Sequence, residues 1–474
     1  MGTGKLHASR LLVLALIVLS CGSIFGGNVS VADVATSPTM GIQEAIDAVA
    51  DGGGGEVFVP AGRYVLSQSV FLTGNLTLRG AGNQTILEVV TEVASALTED
   101  GIVGQTSVKV AEPSRFRPGD PVIISGSGRK APRSNVKAIE AGALILTDAL
   151  TAACEVERGA QAIRTFSALR TRGRVANLTI RDMRIVGSLR NSYQGFSTWR
   201  DNSLISLEGA NIQLINIEAV DAAGDAICVN GSGMYTIRDC RIENSRLRGI
   251  HIGNNPADVI ISGNIIRQSG LYGIYLCNGC RRTNISDNSI SKVGYFTTDH
   301  GDVETPFENP RDLYIINTRI SGIGGLGGGG LQDRFDNISN NVIQNSRGSG
   351  ISFLRWSGEV RPGKHINLTG NNIQDVDYSA IYLYAAEGIN VQGNLVAGGG
   401  VGITVAKSQY CNIRNNLVQN CAIGVDVFSD EDALQSRYNI VAGNSLVECG
   451  EALRLGKRAS RNRLEHNYIM GAAN

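Results

Sequence analysis

Three things are scarce in this sequence. Aromatic residues make up only 5% of it, few for the single thick core that 474 residues would otherwise need. Neither sign of charge is in excess, since 43 Lys and Arg balance 43 Asp and Glu, so there is no basic field to hold nucleic acid or an acidic membrane surface. Helical periodicity and leucine ladders are absent from the repeating part of the chain, which excludes tetratricopeptide, ankyrin and leucine-rich arrays. The apolar run Leu11–Leu19 is too short to span a bilayer, and no transmembrane span is expected.

What the chain has instead is a short-period repeat. Ile227-Cys228-Val229, Ile250-His251-Ile252 and Ile274-Tyr275-Leu276 are equivalent apolar-x-apolar strands, 23 and then 24 residues apart, each followed by a turn and a second alternating strand. Short strands at this period fit one coil of a parallel β-helix. The pattern apolar-x-x-Asn-x-apolar recurs at Asn264, Asn288, Asn341, Asn371, Asn394, Asn416, Asn444 and Asn467, with Cys240 and Thr318 read as two further rungs. Stacked asparagines can bond one another and the backbone of tight left-handed turns, so an internal asparagine ladder is predicted. The steps between rungs vary through a few insertions, which in a solenoid go to loops on one face, often the binding face.

With these motifs the chain resembles the right-handed parallel β-helix proteins of the pectate-lyase-like superfamily over residues 37–474. The N-terminal stretch from Ala45 through Leu87, with Gly52 to Gly55, Glu56-Val57-Phe58-Val59-Pro60 and Leu76-Thr77-Leu78-Arg79-Gly80-Ala81-Gly82, is similar to the superfamily's opening coils. The expected fold is all-β: a single-stranded right-handed parallel β-helix, a solenoid, with an N-terminal helical cap and a small inserted β module. Ile42, Ile46 and Val49 stand at helical spacing and mark that cap. Residues 103–164 break the coil period with alternating strands and Gly-containing turns, read as the antiparallel insert.

Ahead of the coils, residues 1–23 carry Lys5 and Arg10 before the apolar run, the order of a secretory signal peptide. Residues 24–36 are read as a linker. Leu19-Ser20-Cys21 resembles a bacterial lipoprotein box, making Cys21 a candidate lipid anchor, with simple cleavage the alternative. Either way export is expected, to the periplasm, the outer membrane or the medium. Cys421 and Cys449 each follow a ladder asparagine by five residues, so they should stack on neighbouring coils within reach of a disulfide. Cys277-Asn278-Gly279-Cys280 has the spacing of a zinc half-site without a second pair, and is read as a turn or a local bridge. The last coil ends without a cap, and cover there, by another subunit for instance, is expected because an open coil leaves sheet-edge hydrogen bonds unmade.

Chemistry in such a fold sits on an exposed sheet face, where outward side chains of successive coils form columns about 4.8 Å apart. Alternation places Ser206, Cys228, His251, Tyr275, Ser352, Tyr382, Thr404, Asp426 and Arg454 in one column, and Ser203, Asp225, Arg248, Tyr272 and Ser379 in another. An arginine, a histidine and a tyrosine on adjacent rungs are what β-elimination of a uronic acid needs: a cation for the carboxylate, a base for the C5 proton and a phenol for the leaving oxygen. Arg248, His251 and Tyr275 are assigned those roles, and the same trio serves C5 epimerisation. Asp201, Glu208, Asn230, Tyr272, His300, Tyr382 and Tyr384 are assigned to substrate binding.

The hydrolase alternative uses Asp225 with Asp201 or Glu208 as paired carboxylates. Polygalacturonases of the superfamily carry Gly-Asp-Asp, then Gly-His-Gly on the next coil; this chain has Gly224-Asp225-Ala226 and Arg248-Gly249-Ile250 at comparable places, and it lacks the Asp-Pro-His-Asp of alginate C5 epimerases. A noncatalytic carbohydrate-binding or cell-surface scaffold is the third reading. No cofactor is called for; Asp299-His300-Gly301-Asp302 has donors suited to Ca2+ or zinc but no partner ligands in view, and reads as loop polarity. The partner implied throughout is an acidic polysaccharide.

Overall fold

The computed structural model describes residues 27–31, 37–90, 93–126, 131–164, 166–189, 203–277, 279–298, 301–304, 320–327, 334–355, 363–429, 435–456 and 458–471. The leader at 1–23, with Cys21, lies outside these residues. Each coil contributes one short strand to each of three parallel faces. Tyr272–Cys277, Arg281–Ser286 and Ser289–Val293 make one such coil, and each pairs in parallel register with its equivalents on the coils before and after. No helix among the described residues is long and apolar enough to cross a membrane.

The first face shows why the period is held. Ile227, Ile250, Ile274, Ile323, Ile351, Ile381, Ile403 and Val425 are register partners and every one is fully buried. Each such side chain contributes about 1.5–3 kcal/mol on burial, so a one-residue slip would move a whole inward column to the outside. The helix Ile42–Asp51 closes the N-terminal end, with Ile42, Ala45, Ile46 and Val49 turned inward.

The asparagine ladder is a continuous chain of hydrogen bonds. Asn264 Nδ2 donates to Asn288 Oδ1 at 2.9 Å, Asn288 to Asn341 at 2.9 Å and Asn341 to Asn371 at 3.0 Å. It continues through Asn394, Asn416 and Asn444 to Asn467. Thr318 lies outside the described residues; the ladder passes from Asn288 directly to Asn341, and Ser289–Val293 pairs with Val342–Ser346. What looked like two irregular coils is one coil with a long excursion. Part of that excursion is the hairpin Tyr295–Thr298 with Gly301–Glu304, and Thr297 pins it to Asn244 at 2.7 and 2.9 Å.

Two further expectations change. Gly27–Ser30, within the supposed linker, is a strand paired in parallel with Gly55–Phe58. The antiparallel module starts at Val93 rather than 103, because Val93–Ala96 pairs with Gln161–Arg164; its alternation is the same as that of a coil strand. The module has its own core around Val108, Phe116, Ile124, Val136 and Leu144. The coils on either side pair as though it were absent, Val70–Leu72 against Leu169–Thr171 and Leu76–Val89 against Val175–Val186.

Cys421 and Cys449 do lie on adjacent coils, yet both are thiols rather than a disulfide. Each sulfur points to backbone carbonyls, Gln419 and Gly398 for Cys421, Val447 and Val418 for Cys449. Cys277 and Cys280 also part company: Cys280 packs in the coil interior and Cys277 in a tyrosine cluster on the outer face. The last strand, Tyr468–Met470, is exposed along its length, with Tyr468 and Ile469 open to solvent.

Candidate active site

The column predicted from alternation is present rung by rung. Ser206, Cys228, His251, Tyr275, Ser352, Tyr382, Thr404, Asp426 and Arg454 follow one another in register, with Gly324 as the missed member between Tyr275 and Ser352. Gly324 is required by its neighbour, because a Cβ there would lie 2.3 Å from the Tyr272 ring. Arg248 and Tyr272 are partners in the second column, and the Ala226 amide donates to the Arg248 carbonyl, setting Asp225 beside Arg248.

Asp225 is the electrostatic centre. Its Oδ1 accepts from Arg248 Nη1 at 3.1 Å and its Oδ2 faces His251 Nδ1 at 2.8 Å. The carboxylate is fully buried, and the Arg248 side chain is only 11% exposed. Burial alone would push the Asp225 carboxyl up, but Arg248 and His251 together outweigh it and hold the group below its ordinary range. Burial likewise opposes the charge on Arg248, and Asp225 more than restores it. The guanidinium sits 4.7 Å from the centre of the Tyr275 ring, a cation–π contact. His251 packs on the same ring at 5.0 Å, and Tyr272 packs on it as well at 4.6 Å.

These groups were expected to face solvent, and they do not. His251 is 2% exposed, Tyr272 2%, Tyr275 6% and Tyr382 3%. The ion pair and ring contacts draw Asp225, Arg248, His251, Tyr272 and Tyr275 together, with the Tyr272 ring over Gly324. Burial pushes the Tyr275 phenol well above its ordinary value, so it keeps its proton at neutral pH.

Of the other predicted residues, Asn230 is buried and donates from Nδ2 to Cys228 Sγ at 3.0 Å. Glu208 is half-buried one coil away, in register with Asn230. Tyr382 joins the cluster of Tyr272, Tyr275 and Cys277, while Tyr384 lies at its margin and accepts a hydrogen bond from Lys407 Nζ at 2.9 Å. Asp201 and His300 lie outside the described residues. Cys228 was placed in the column but given no role; its sulfur is 3.7 Å from His251 Nδ1.

Asp225, Cys228 and His251 are also the one set of three donor residues among those described whose ligand atoms all lie within 4.8 Å. Their types suit zinc, whose tetrahedral ligands stand about 3.3–3.7 Å apart. Here Nδ1 and Oδ2 are at hydrogen-bond distance, and Arg248 already supplies the cation on that carboxylate. As folded, the trio is a hydrogen-bonded cluster.

The family described as "Right handed beta helix region" matches residues 202–361 and 307–469, over half of the chain. The chain belongs to the right-handed β-helix family. A second family, "Rhamnogalacturonase A/epimerase, pectate lyase-like", matches residues 30–115 of this β-helix protein. No curated protein matches the chain. Among solved structures, a variant of the periplasmic alginate epimerase AlgG is similar at 12% identity, covering 88% of this chain and 77% of its own, with a TM-score of 0.49. The A-module of the Azotobacter vinelandii mannuronan C-5 epimerase AlgE4 is similar at 12% identity, covering 92% and 95%, TM-score 0.46. The catalytic domain of a GH87 α-1,3-glucanase with nigerose is similar at 13% identity, covering 93% and 68%, TM-score 0.49. Identities this low transfer no residue role to the β-helix described here, and its site is read on its own chemistry.

Proposed function

We propose that this β-helix protein acts on an acidic polysaccharide by taking the C5 proton of a uronate residue, with His251 as base and Tyr275 as acid. The observation that carries the reading is the state of Asp225. A carboxylate with both oxygens engaged by Arg248 and His251, and held ionised, is poorly suited to protonate a glycosidic oxygen or attack a sugar. It is well suited to accept a proton-bearing Nδ1 and so orient Nε2 of His251 as a base. Gly253 keeps that edge of the ring clear of a side chain, since a Cβ there would stand 3.5 Å from Nε2. Asp225 is therefore a positioning residue in this reading, which weighs against paired-carboxylate hydrolysis.

In β-elimination the C5–H electrons form the C4–C5 double bond, the C4–O bond breaks, and Tyr275 gives its proton to the departing oxygen. In epimerisation Tyr275 returns a proton to the opposite face of C5 and no bond to oxygen breaks. Arg248 supplies the positive charge beside the uronate carboxylate, a role tempered by its pairing with Asp225. A second reading, a noncatalytic glycan-binding scaffold, is favoured by one observation: the near-complete burial of His251 and Tyr275. Incubating the purified protein with a panel of polyuronates separates the cases. Ultraviolet absorbance of unsaturated ends, abolished by His251→Ala, supports elimination. New reducing ends without absorbance would move the assignment to hydrolysis, and silence in both readouts leaves epimerisation or the scaffold.

A further inference from the structure

A second turn of the coil carries side chains that its backbone does not call for. The residue before each rung of the asparagine ladder has left-handed geometry, and the chain fills that turn with Asp239, Gly263, Asp287, Asn340, Gly370, Gly393, Asn415 and Gly443, and once with His466. Those are the residue types that tolerate positive φ. The turn after the first-face strand has the same geometry and holds Asn75, Asn177, Asn211 and Asp258 in the earlier coils, but from there on it holds Arg282, Phe335, His365, Gly388, Tyr410, Tyr438 and Arg461, with φ between 52° and 67°. Bulky side chains there are disfavoured, so their presence is owed to what they do outside the coil.

They form an exposed aromatic column. Phe335 stacks on His365 at 5.5 Å and 13°, and Tyr410 on Tyr438 at 5.3 Å and 5°. Phe335 is 61% and Tyr410 56% exposed. Stacked rings offer only edges to solvent except where the stack is broken, and it is broken once, at Gly388. His365 and Tyr410 are two coils apart, about 9.6 Å, with the glycine backbone as floor; the His365 Nδ1 lies 3.1 Å from where a Gly388 Cβ would be. The His365 ring leans over the glycine, and the face of Tyr410 turned away from Tyr438 has no ring of its own column stacked on it. The two lines of turn residues bear six cations, Arg281, Arg282, Arg334, Lys364, Arg437 and Arg461, against the carboxylates of Asp258 and Glu387, an excess of four in a chain whose net charge is zero.

We propose that the gap over Gly388, walled by His365 and Tyr410, binds one sugar ring of an anionic polysaccharide, away from the Asp225 cluster. It shares with the proposed function only the class of ligand and needs no turnover. Gly388→Tyr tests it by filling the gap with a residue that Tyr410 and Tyr438 show this turn accepts. Mobility of the full protein is followed in native gels containing alginate, polygalacturonate or neutral dextran. The wild type is expected to be retarded by at least one polyuronate and not by dextran, and Gly388→Tyr to lose about tenfold in affinity with its unfolding midpoint kept or raised. Retardation unchanged in Gly388→Tyr, absent in the wild type, or equal with dextran overturns the proposal. If Gly388→Tyr lowers the midpoint, Tyr410→Ala, which removes one wall, must show the same loss of affinity, and wild-type retardation in it overturns the proposal. A protein inactive on every polyuronate that still shows the Gly388-dependent retardation loses the catalytic reading alone.

Discussion

Replacing Asp225 with alanine removes the carboxylate that pairs with the buried Arg248 guanidinium and faces His251 Nδ1. At 3.1 Å and an effective dielectric constant near 20, the Arg248–Asp225 attraction is about 5 kcal/mol, and breaking a buried pair from one side costs about 3–5 kcal/mol. Arg248→Met should cost less, because Asp225 keeps His251. The double variant should be less damaging than the sum of the two by about 2–4 kcal/mol, since no lone buried charge remains. A coil array need not unfold in one step, so the readout is amide hydrogen exchange along Ile227–Asn230, Arg248–Gly253 and Tyr272–Cys277. The pH dependence has a definite sign. A carboxyl whose folded pKa lies below its ordinary 3.8 contributes stability present above that value and lost as pH falls through the folded pKa. Wild type and Asp225→Ala should therefore converge only below about pH 3.8. Additivity within about 0.5 kcal/mol, or convergence already in mild acid, would refute the coupling assigned to this pair.

Other expected outcomes follow from the same structure. Asn394→Ala orphans the Leu368 carbonyl and the Asn371 amide and should cost about 2–4 kcal/mol, whereas Asn467→Ala, at the half-buried end of the ladder, should cost less; hydrogen exchange in the flanking coils compares them. Asp426 is pushed up by burial, with Arg454 opposing and Glu451 adding, and its Oδ1 is buried without a hydrogen-bond partner. A raised carboxyl pKa contributes stability present below the unfolded value and lost as pH rises through the folded one. Asp426→Asn should therefore stabilise the C-terminal coils at neutral pH and make no difference in acid, read by exchange in Leu417–Phe428 and Glu451–Leu455.

Much of the architecture was legible because a solenoid writes its geometry into the sequence once per coil. The inward Ile and Val positions and the ladder asparagines recur at the same offset, and alternation alone ordered the column from Ser206 to Arg454. Where the period broke, the reading broke with it. Thr318 fitted the spacing, but the ladder steps from Asn288 to Asn341 and the strands pair across the excursion after Val293, which the spacing alone does not show. Gly324 was not placed in the column, although the glycine run Gly322 to Gly330 reads as a flat, side-chain-free section of the face; the Tyr272 ring that requires it there is what the sequence does not show. The residues of the candidate site were named from their columns, yet their burial was not, since alternation says which way a side chain points and nothing about what shades it. The aromatic turn column escaped for a related reason. Phe335, His365, Tyr410 and Tyr438 share a position only once the coil boundaries are aligned, and their left-handed geometry has no signature in residues so rarely found there.

Removal of a C5 proton by His251 is the step on which the proposed chemistry depends. Polyuronate incubated with the protein in D2O and examined by NMR reports this for elimination and epimerisation alike. Wild-type protein should yield deuterium at C5 or unsaturated ends, with the rate falling by about 10²–10⁴ in His251→Ala and markedly in Tyr275→Phe. Exchange that persists undiminished in His251→Ala, or its complete absence with every polyuronate in the wild type, would contradict the assignment.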